Sequence, residues 1–196
     1  MIPQFGITTL LAYFLIVIYF VMERLLRQGD QALSLSATES DRGSTRRMLL
    51  GGAVEIIALL LAPWLNIDSF GVISASPAMG WVGIALMLMG LVIRFSAAKT
   101  LGEFYTRTLL ISPNQAIVQQ GLYRFVRHPG YLGVLLASLG AGLAVMNWVV
   151  LVMLGISKYI SLSYRIATEE SMLQQAFGTT YTDYANQTKR LVPWIF

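Results

Sequence analysis

The stretch RHPGYLGVLLASLGAGLAVMNWVVLVMLGIS, residues 127–157, has no charged side chain after its opening arginine and histidine. Its uncharged part exceeds the ~20 residues that a helix needs to cross ~30 Å of hydrocarbon. A single helix through this part and on to Glu169 would extend ~60 Å, about twice that thickness. The stretch therefore predicts a hairpin of two membrane helices, at about 130–145 and 148–168, which turns near Asn147.

The whole chain has the composition of an integral membrane protein. Of its 196 residues, 56% are hydrophobic and only 12% are charged, and the mean hydropathy is +0.63. Two further uncharged runs, at 1–22 and 69–93, are each long enough to form a helix that crosses a membrane. We therefore predict an all-α integral membrane protein with a single domain, residues 1–196, and five transmembrane helices, of which the last two form the hairpin. The predicted spans are about 3–22, 48–66, 77–98, 130–145 and 148–168, followed by an amphipathic cytoplasmic tail at 169–196.

The positions of the basic residues predict the orientation of the chain, because Lys and Arg favour cytoplasmic loops. The loop between the second and third spans, residues 68–76, has no basic residue. Both neighbouring loops and the C-terminal tail are basic, which places the N-terminus outside and the C-terminus in the cytoplasm. Trp64, Trp81 and Trp148 then fall at the outer ends of their spans, as an aromatic belt requires. The first loop contains Arg24, Arg27, Arg42, Arg46 and Arg47, and the third contains Arg94, Lys99, Arg107, Arg124 and Arg127.

The composition also excludes several classes of site. The chain has no cysteine, which excludes disulfides, thiol catalysis and cysteine-based metal sites. Its single histidine argues against a histidine-rich metal site, so no metal is expected. The net charge of +4 is explained by the cytoplasmic loops. Membrane lipids are therefore expected as partners, and nucleic acid is not.

Polar residues at the start of the first arm and at the end of the second arm of the hairpin are expected to meet. Arg165 and Glu169 are four residues apart, so they share one face of the second arm. Charges at a membrane boundary are costly and tend to face the bundle interior or a wet cavity. Because a hairpin returns the end of its second arm to the start of its first, we expect these side chains near His128 and Tyr131, in a pocket at the cytoplasmic mouth of the bundle.

Several of these residues also have simpler structural interpretations. The sequence RHP at residues 127–129 can start a helix, since proline favours the first turn, and its arginine can extend to lipid headgroups. Tyr123 can be an interfacial anchor. Glu169 can belong, with Glu170, to a solvated face after the last span.

Three further residues are left outside the predicted site. Glu55, about two turns inside the second span, carries a charge that needs a partner within the membrane. We expect an interhelical hydrogen bond or an ion pair, with Arg94 as the candidate partner. Tyr181 and Tyr184 are expected to be packing or interface aromatics.

Two stretches of the C-terminal part resemble a known family. They are GLYRFVRHPGYLG, residues 121–133, and RIATEESMLQQAFGTTYTDYANQTKRLVP, residues 165–193. Through the motifs R-H-P-x-Y-x-G, Glu-Glu and F-G-x-x-Y, residues 115–196 are similar to the isoprenylcysteine carboxyl methyltransferases and their phospholipid-methyltransferase relatives. The resemblance implies transfer of a methyl group from S-adenosyl-L-methionine within the membrane, in a pocket that is not a Rossmann fold, with S-adenosylhomocysteine as the product.

The resemblance implies a role for each matching position. Eukaryotic members carry histidine where this chain has Gln115, and they have more spans. The chain thus resembles a small prokaryotic member, and we expect it in a prokaryotic cell membrane. The implied cofactor-binding residues are Gln115, Ala116, Ile117, Val118, His128, Pro129, Gly130, Tyr131 and Glu169, and the implied substrate-binding residues are Tyr123 and Arg165.

The predicted function is formation of a methyl ester on the C-terminal carboxylate of a prenylated cysteine. That carboxylate, with a reference pKa of about 3.5, is ionised near pH 7 and needs no base. It needs a cation to orient it, and Arg165, the predicted catalytic residue, offers a bidentate fork. The prenyl tail would enter laterally between the helices.

Three alternatives remain open on sequence alone. An amine or phospholipid headgroup, as a lipid acceptor, would arrive protonated and need a proton acceptor such as Glu169, Glu170 or His128. A membrane sterol reductase would share a related helical core and use NADPH. A non-enzymatic membrane scaffold would keep the helices without binding a cofactor.

Overall fold

Helices make up most of the chain. The computed structural model describes residues 6–27, 41–73, 76–106, 108–109, 111 and 115–192. The α-helices of this part are α1 (Ile7–Leu26), α2 (Ser44–Ile67), α3 (Ala78–Leu101), α4 (Pro129–Ala144), α5 (Trp148–Phe177) and α6 (Thr179–Gln187). Short 3₁₀ helices follow α3, at Gly102–Phe104, and precede α4, at Gly121–Arg124.

Each predicted span overlaps one of the first five helices. Within the described residues, four helices (α1, α2, α3 and α5) are long and apolar enough to cross a membrane. Helix α4 is apolar too, but its 16 residues are fewer than the ~20 that span a bilayer core. The structure thus confirms an all-α, multi-pass membrane protein. The count of five membrane crossings stays a prediction.

Helix α5 is longer than the predicted fifth span. It runs to Phe177 because no Gly or Pro interrupts it after Gly155. It ends at Gly178, whose φ of 54° lies in the left-handed region that glycine adopts without strain. The predicted tail at 169–196 therefore begins as a continuation of α5 and includes α6. Its placement on the membrane face stays a prediction.

The turn of the predicted hairpin lies at Asn147, between α4 and α5. The buried Asn147 side chain caps α5 by accepting hydrogen bonds from the backbone N–H groups of Val149 and Val150. It also donates to Asn66 Oδ1 and to the carbonyl oxygen of Phe70, both at 2.8 Å. The turn is thus fastened to the end of α2, and we call this end of the bundle the hairpin end.

Other elements meet at the hairpin end. The N–H of Trp148 donates to the carbonyl oxygen of Gly71 at 2.8 Å, and the Thr8 hydroxyl of α1 donates to the carbonyl oxygen of Ala144 at 2.7 Å. The main apolar core packs here as well, and includes Ala62 and Leu154. Trp64, Trp81 and Trp148 are exposed on the helix ends that meet here, as the predicted aromatic belt requires.

Glycines bring the backbones of α3 and α4 into direct contact. A Cβ added at Gly133 would lie 2.6 Å from the carbonyl oxygen of Gly90, and one added at Gly140 would lie 2.6 Å from that of Gly83. Small residues allow this approach between membrane helices, where van der Waals packing drives association. Because α4 also packs against α1 and α5, the contact sets the position of the whole hairpin.

We predict that Gly90→Ala destabilises the protein by about 1–3 kcal/mol, the usual effect of overpacking. A Cβ at Gly90 would lie 2.5 Å from the carbonyl oxygen of Gly133, and backbone has little freedom to move. Gly155→Ala is the matched control, because its Cβ would meet only the Leu139 side chain, at 3.5 Å. Thermal unfolding in detergent should show a lower midpoint temperature for Gly90→Ala and an unchanged one for Gly155→Ala. Equal midpoint temperatures for the two variants would contradict the close α3–α4 contact.

Candidate functional site

A cavity of about 780 Å³ lies among the first five helices and extends towards the end opposite the hairpin end, which we call the site end. Its volume is within the ~300–1,000 Å³ typical of ligand sites. Apolar side chains such as Leu59, Met87 and Ala141 line its inner part. The predicted site residues that line it are Gln115, Ala116, Ile117, Val118, Tyr123, His128, Gly130, Tyr131, Arg165 and Glu169.

Pro129 is the one predicted site residue that does not line the cavity. It is buried at the first position of α4, where its fixed φ suits a helix start. The backbone before it is held by the C-terminal segment, because the N–H of His128 donates to the carbonyl oxygen of Arg190 at 3.0 Å. Pro129 therefore fixes the position of His128 and Tyr131, and its predicted contact with the cofactor stays a prediction.

The hairpin brings together the four residues that the sequence places in one pocket. The Tyr131 hydroxyl donates to Glu169 Oε2 at 2.6 Å, and Arg165 Nε donates to the Tyr131 oxygen at 3.1 Å. The His128 ring stacks on Tyr131 at 5.5 Å and has its Nδ1 3.9 Å from Glu169 Oε2. The expected meeting of these side chains is confirmed, while their chemical roles stay predictions.

Arg165 is also bound to the start of α2. Its Nη1 lies 3.2 Å from Asp41 Oδ1 and 2.9 Å from the hydroxyl oxygens of both Ser44 and Thr45. Burial would raise the pKa of Asp41, but hydrogen bonds from Thr45 and Ser44 outweigh it and hold that pKa below its ordinary value. The carboxylate thus stays charged and fixes the guanidinium in one orientation.

Sequence reasoning missed Asp41 because it lies at the end of a polar stretch with the composition of a loop. The available signal was local, because Asp41 lies three and four residues before Ser44 and Thr45, where its carboxylate accepts hydrogen bonds from both hydroxyl groups. Its Oδ2 accepts a hydrogen bond from the Thr45 N–H at 3.0 Å.

Glu170 lies beside the cavity and holds its outer wall. Its carboxylate is 3.0 Å from Arg127 Nε, 2.9 Å from Arg190 Nη2 and 3.3 Å from His128 Nε2. Glu169 and Glu170 both have interior partners, so their interpretation as a solvated face is wrong. Arg127 likewise binds protein groups, including the carbonyl oxygen of Ala185 at 2.8 Å.

The two charges inside the second and third spans have different partners from the predicted ones. Glu55 Oε2 lies 2.6 Å from Lys158 Nζ, and its Oε1 accepts a hydrogen bond from Ser138 at 2.7 Å. Arg94 instead pairs with Glu23 of α1, at 2.9 Å. The Glu55–Arg94 pair is therefore wrong, because α2 packs against α5 whereas α3 packs against α1. An interhelical ion pair at Glu55 is confirmed.

Tyr181 and Tyr184 differ in their surroundings. The Tyr184 hydroxyl donates to the carbonyl oxygen of Tyr123 at 2.8 Å, which confirms a packing role. Tyr181 lines the same cavity, and its hydroxyl is buried without a hydrogen-bond partner among the described residues. Burial raises its pKa, so it keeps its proton. A buried unpaired hydroxyl normally has a ligand or water as its partner, a signal that the sequence alone did not contain.

These groups fit a ligand with the polar groups of S-adenosylmethionine. Glu169 is a hydrogen-bond acceptor, the Tyr181 hydroxyl is an unpaired donor among the described residues, and residues 115–118 line the same cavity. No cluster of three metal-ligating side chains occurs in the part of the chain that the structure describes.

Comparison with known proteins identifies the family. Residues 82–175 match the model of the isoprenylcysteine carboxyl methyltransferase (ICMT) family. The chain is 32% identical to a probable protein-S-isoprenylcysteine O-methyltransferase of Oryza sativa subsp. indica over 181 residues, which cover 90% of this chain and 95% of the relative. The chain belongs to the isoprenylcysteine carboxyl methyltransferase family.

Two further matches agree with this family. Protein-S-isoprenylcysteine O-methyltransferase A of Arabidopsis thaliana is 32% identical over 120 residues, which cover 59% of this chain and 61% of that one. The structure of the eukaryotic intramembrane Ras methyltransferase ICMT matches with a TM-score of 0.65 at 23% identity. The match covers 92% of this chain and 64% of that one, and shows that the helical fold of the family is shared.

We predict that Asp41→Asn lowers the free energy of unfolding at neutral pH by about 3 kcal/mol, because it leaves Arg165 without its buried counter-charge. The folded-state pKa of Asp41 is below its ordinary value of 3.8. Its contribution is therefore present above about pH 4 and lost as the pH falls through the lowered pKa.

The measurement is thermal unfolding of wild type and variant at pH 7 and below pH 4, with the exposed Asp183→Asn as the control. The difference in unfolding temperature between wild type and Asp41→Asn should be smaller below pH 4 than at pH 7. A difference that is absent at pH 7, or that does not depend on pH, would show that the Asp41–Arg165 pair does not stabilise the fold.

Proposed function

We propose that this chain transfers the methyl group of S-adenosyl-L-methionine to the C-terminal carboxylate of a prenylated cysteine, giving a methyl ester and S-adenosylhomocysteine. The main support is one cavity in which a cluster of polar side chains joins an apolar chamber among membrane helices, in a member of this family. A charged head and a hydrocarbon tail on one acceptor match these two parts.

Several residues are proposed to hold the cofactor, which supplies an activated methyl group on a sulfonium when bound. Glu169 accepts hydrogen bonds from ribose hydroxyls or from the amino group, and Tyr181 donates one. His128 and the main chain of residues 115–118 contact the adenine or the carboxylate. Gly130 leaves room for Arg94 against α4, and Pro129 and Tyr131 hold that wall in place.

Arg165 and Tyr123 are proposed to hold the acceptor. The acceptor carboxylate is ionised near pH 7, so the site needs no base. Arg165 is already oriented by Asp41 and Tyr131, so it can position the carboxylate in line with the methyl group at little cost in side-chain entropy. In a displacement of this kind, positioning supplies much of the rate enhancement. Burial raises the pKa of Tyr123, which leaves its hydroxyl protonated as a donor.

The inner chamber is proposed to hold the prenyl chain. Its lining includes Leu59, Met87, Leu91, Val134 and Ala141. These residues belong to α2, α3 and α4, of which α2 and α3 are long enough to cross the membrane. Apolar lining excludes water from the reacting groups and strengthens their electrostatic interactions. A lipid with an amine headgroup could also place its hydrocarbon in this chamber, but its ammonium group would require a proton acceptor, whereas the carboxylate of a prenylated cysteine requires none.

We expect Glu169→Gln to weaken binding of S-adenosylhomocysteine by about 1–3 kcal/mol, the value of a hydrogen bond to a charged group. Glu170→Gln is the matched control, because Glu170 does not line the cavity. That variant should lose thermal stability and keep its affinity. Calorimetric titration of both variants and wild type decides between these outcomes, and equal affinities for wild type and Glu169→Gln would remove Glu169 from the cofactor site.

Arg165→Lys should keep the charge but lose the planar fork. We expect the variant to remain folded and bind S-adenosylhomocysteine, yet to methylate a farnesylated cysteine analogue at least about tenfold more slowly. Arg124→Lys, at an exposed arginine, is the control. The measurement is transfer of radiolabelled methyl to the analogue and to its C-terminal amide, which should not react.

Two results would change this proposal. Near-normal turnover by Arg165→Ala would exclude Arg165 from acceptor binding. Wild-type protein that ignored prenylated cysteine but methylated an ethanolamine lipid would replace the carboxylate acceptor by an amine.

The orientation is proposed as N-terminus outside and C-terminus in the cytoplasm, which puts the site end on the cytoplasmic side, in a prokaryotic cell membrane. The chain has no cysteine, so single cysteines can be labelled without background. Ser69→Cys at the hairpin end and Gln175→Cys at the site end should react from opposite sides of sealed vesicles. Labelling of both from the same side would exclude this topology.

A further inference from the structure

A second group of charged side chains lines the cavity and has no role in the proposed chemistry. It comprises Glu23 of α1, Arg27 directly after that helix, Arg94 of α3 and Tyr105, and we call it the Glu23 cluster. Arg94 Nε donates to Glu23 Oε1 at 2.9 Å, and the Tyr105 hydroxyl donates to the same oxygen at 2.5 Å. Arg27 Nη2 donates to the other carboxylate oxygen.

The Glu23 cluster has more positive than negative charge. It contains two guanidinium groups and one carboxylate, and their side chains are 10%, 10% and 6% exposed. Arg27 Nε is buried and has no hydrogen-bond partner within the described part of the chain. Charges and donors buried without partners are costly, so the composition of the cluster favours the binding of one more anion.

The Glu23 cluster faces the same part of the cavity as the Tyr131–Glu169 pair. A Cβ added at Gly130, the residue before Tyr131, would lie 2.8 Å from Arg94 Nη1. The absence of a side chain at Gly130 thus gives Arg94 access to the wall of α4. Because α1 packs on α3 whereas α2 packs on α5, the cluster and Arg165 approach the cavity from different sides.

The orientation of both guanidinium groups is set by Tyr105. Its ring centroid lies 5.0 Å from Arg94 Cζ and 5.4 Å from Arg27 Cζ, within the range of cation–π interactions. The hydroxyl of the same residue binds Glu23, so the three charged groups are held in a fixed arrangement. A fixed pair of guanidinium groups binds a carboxylate with little loss of side-chain entropy.

The proposed reaction brings two carboxylates into this cavity, one on the acceptor and one on the amino acid end of S-adenosylmethionine. Arg165 is proposed to bind only one of them. We propose that the Glu23 cluster is a second carboxylate-binding subsite, in which Arg27 and Arg94 donate to the remaining carboxylate. This inference rests on the proposed function, and the chemistry it names is shared by cofactor and acceptor.

The test is calorimetric titration of the full chain in detergent with four compounds. They are S-adenosylhomocysteine, its decarboxylated analogue, S-farnesylcysteine with a free carboxylate, and the amide of the latter. Each carboxylate ligand and its partner form a matched pair, so the affinity ratio of a pair measures carboxylate recognition alone. The titrations are made on wild type, Arg27→Gln and Arg46→Gln, an exposed arginine outside the cavity.

We expect Arg27→Gln to lower the affinity ratio of one pair by at least about tenfold and Arg46→Gln to change neither ratio. A change in the nucleoside pair assigns the subsite to the cofactor, and a change in the farnesyl pair assigns it to the acceptor. Arg27→Lys, which keeps the charge but lacks the guanidinium Nε, is measured alongside. If Arg27→Gln does not fold, the expected result is a reduced affinity ratio of one ligand pair in Arg27→Lys.

Unchanged ratios in every folded Arg27 variant would overturn the subsite while leaving the proposed function intact. Wild-type protein that binds neither carboxylate ligand would overturn the proposed function and the subsite together.

Discussion

The position of Arg165 constrains the rest of the site end. A guanidinium buried among membrane helices is tolerated only where counter-charges and acceptors surround it. Asp41, Ser44 and Thr45 supply them from the start of α2, and Tyr131 supplies one from α4. Three helices are thereby held at one point. Glu169, one turn further along α5, then reaches the Tyr131 hydroxyl, so structural support and the candidate cofactor carboxylate depend on the same contacts.

The two ends of the bundle are stabilised by different kinds of contact. At the hairpin end, apolar residues and the buried Asn147 close the bundle, and glycines let α3 and α4 touch. Towards the site end, ion pairs hold the cavity walls instead: Arg165 with Asp41 and Arg94 with Glu23. A third pair, Lys158 with Glu55, lies midway along α2. A cavity bounded by fixed ion pairs at one end and by hydrocarbon at the other suits a ligand with a charged head and an apolar tail.

The sequence predicted the features that depend on local pattern. Hydrophobic length and charge placed the hairpin turn near Asn147, and helical spacing joined Arg165 and Glu169 to His128 and Tyr131. The partners of Arg94 and Glu55 could not be obtained in this way. Spacing tells which residues share a helix face, but which helix that face meets depends on packing between distant segments. The same limit applies to the unpaired Tyr181 hydroxyl, whose environment comes from several elements at once.

The central claim is that this cavity binds the methyl-transfer cofactor of the isoprenylcysteine carboxyl methyltransferase family. It is tested most directly by thermal unfolding of the purified wild-type protein with S-adenosylhomocysteine and, separately, with NADPH. A ligand that binds only the folded protein raises the unfolding temperature in proportion to its affinity and concentration. The account predicts a concentration-dependent increase with S-adenosylhomocysteine and none with NADPH. An increase with NADPH alone, or with neither compound, would contradict it.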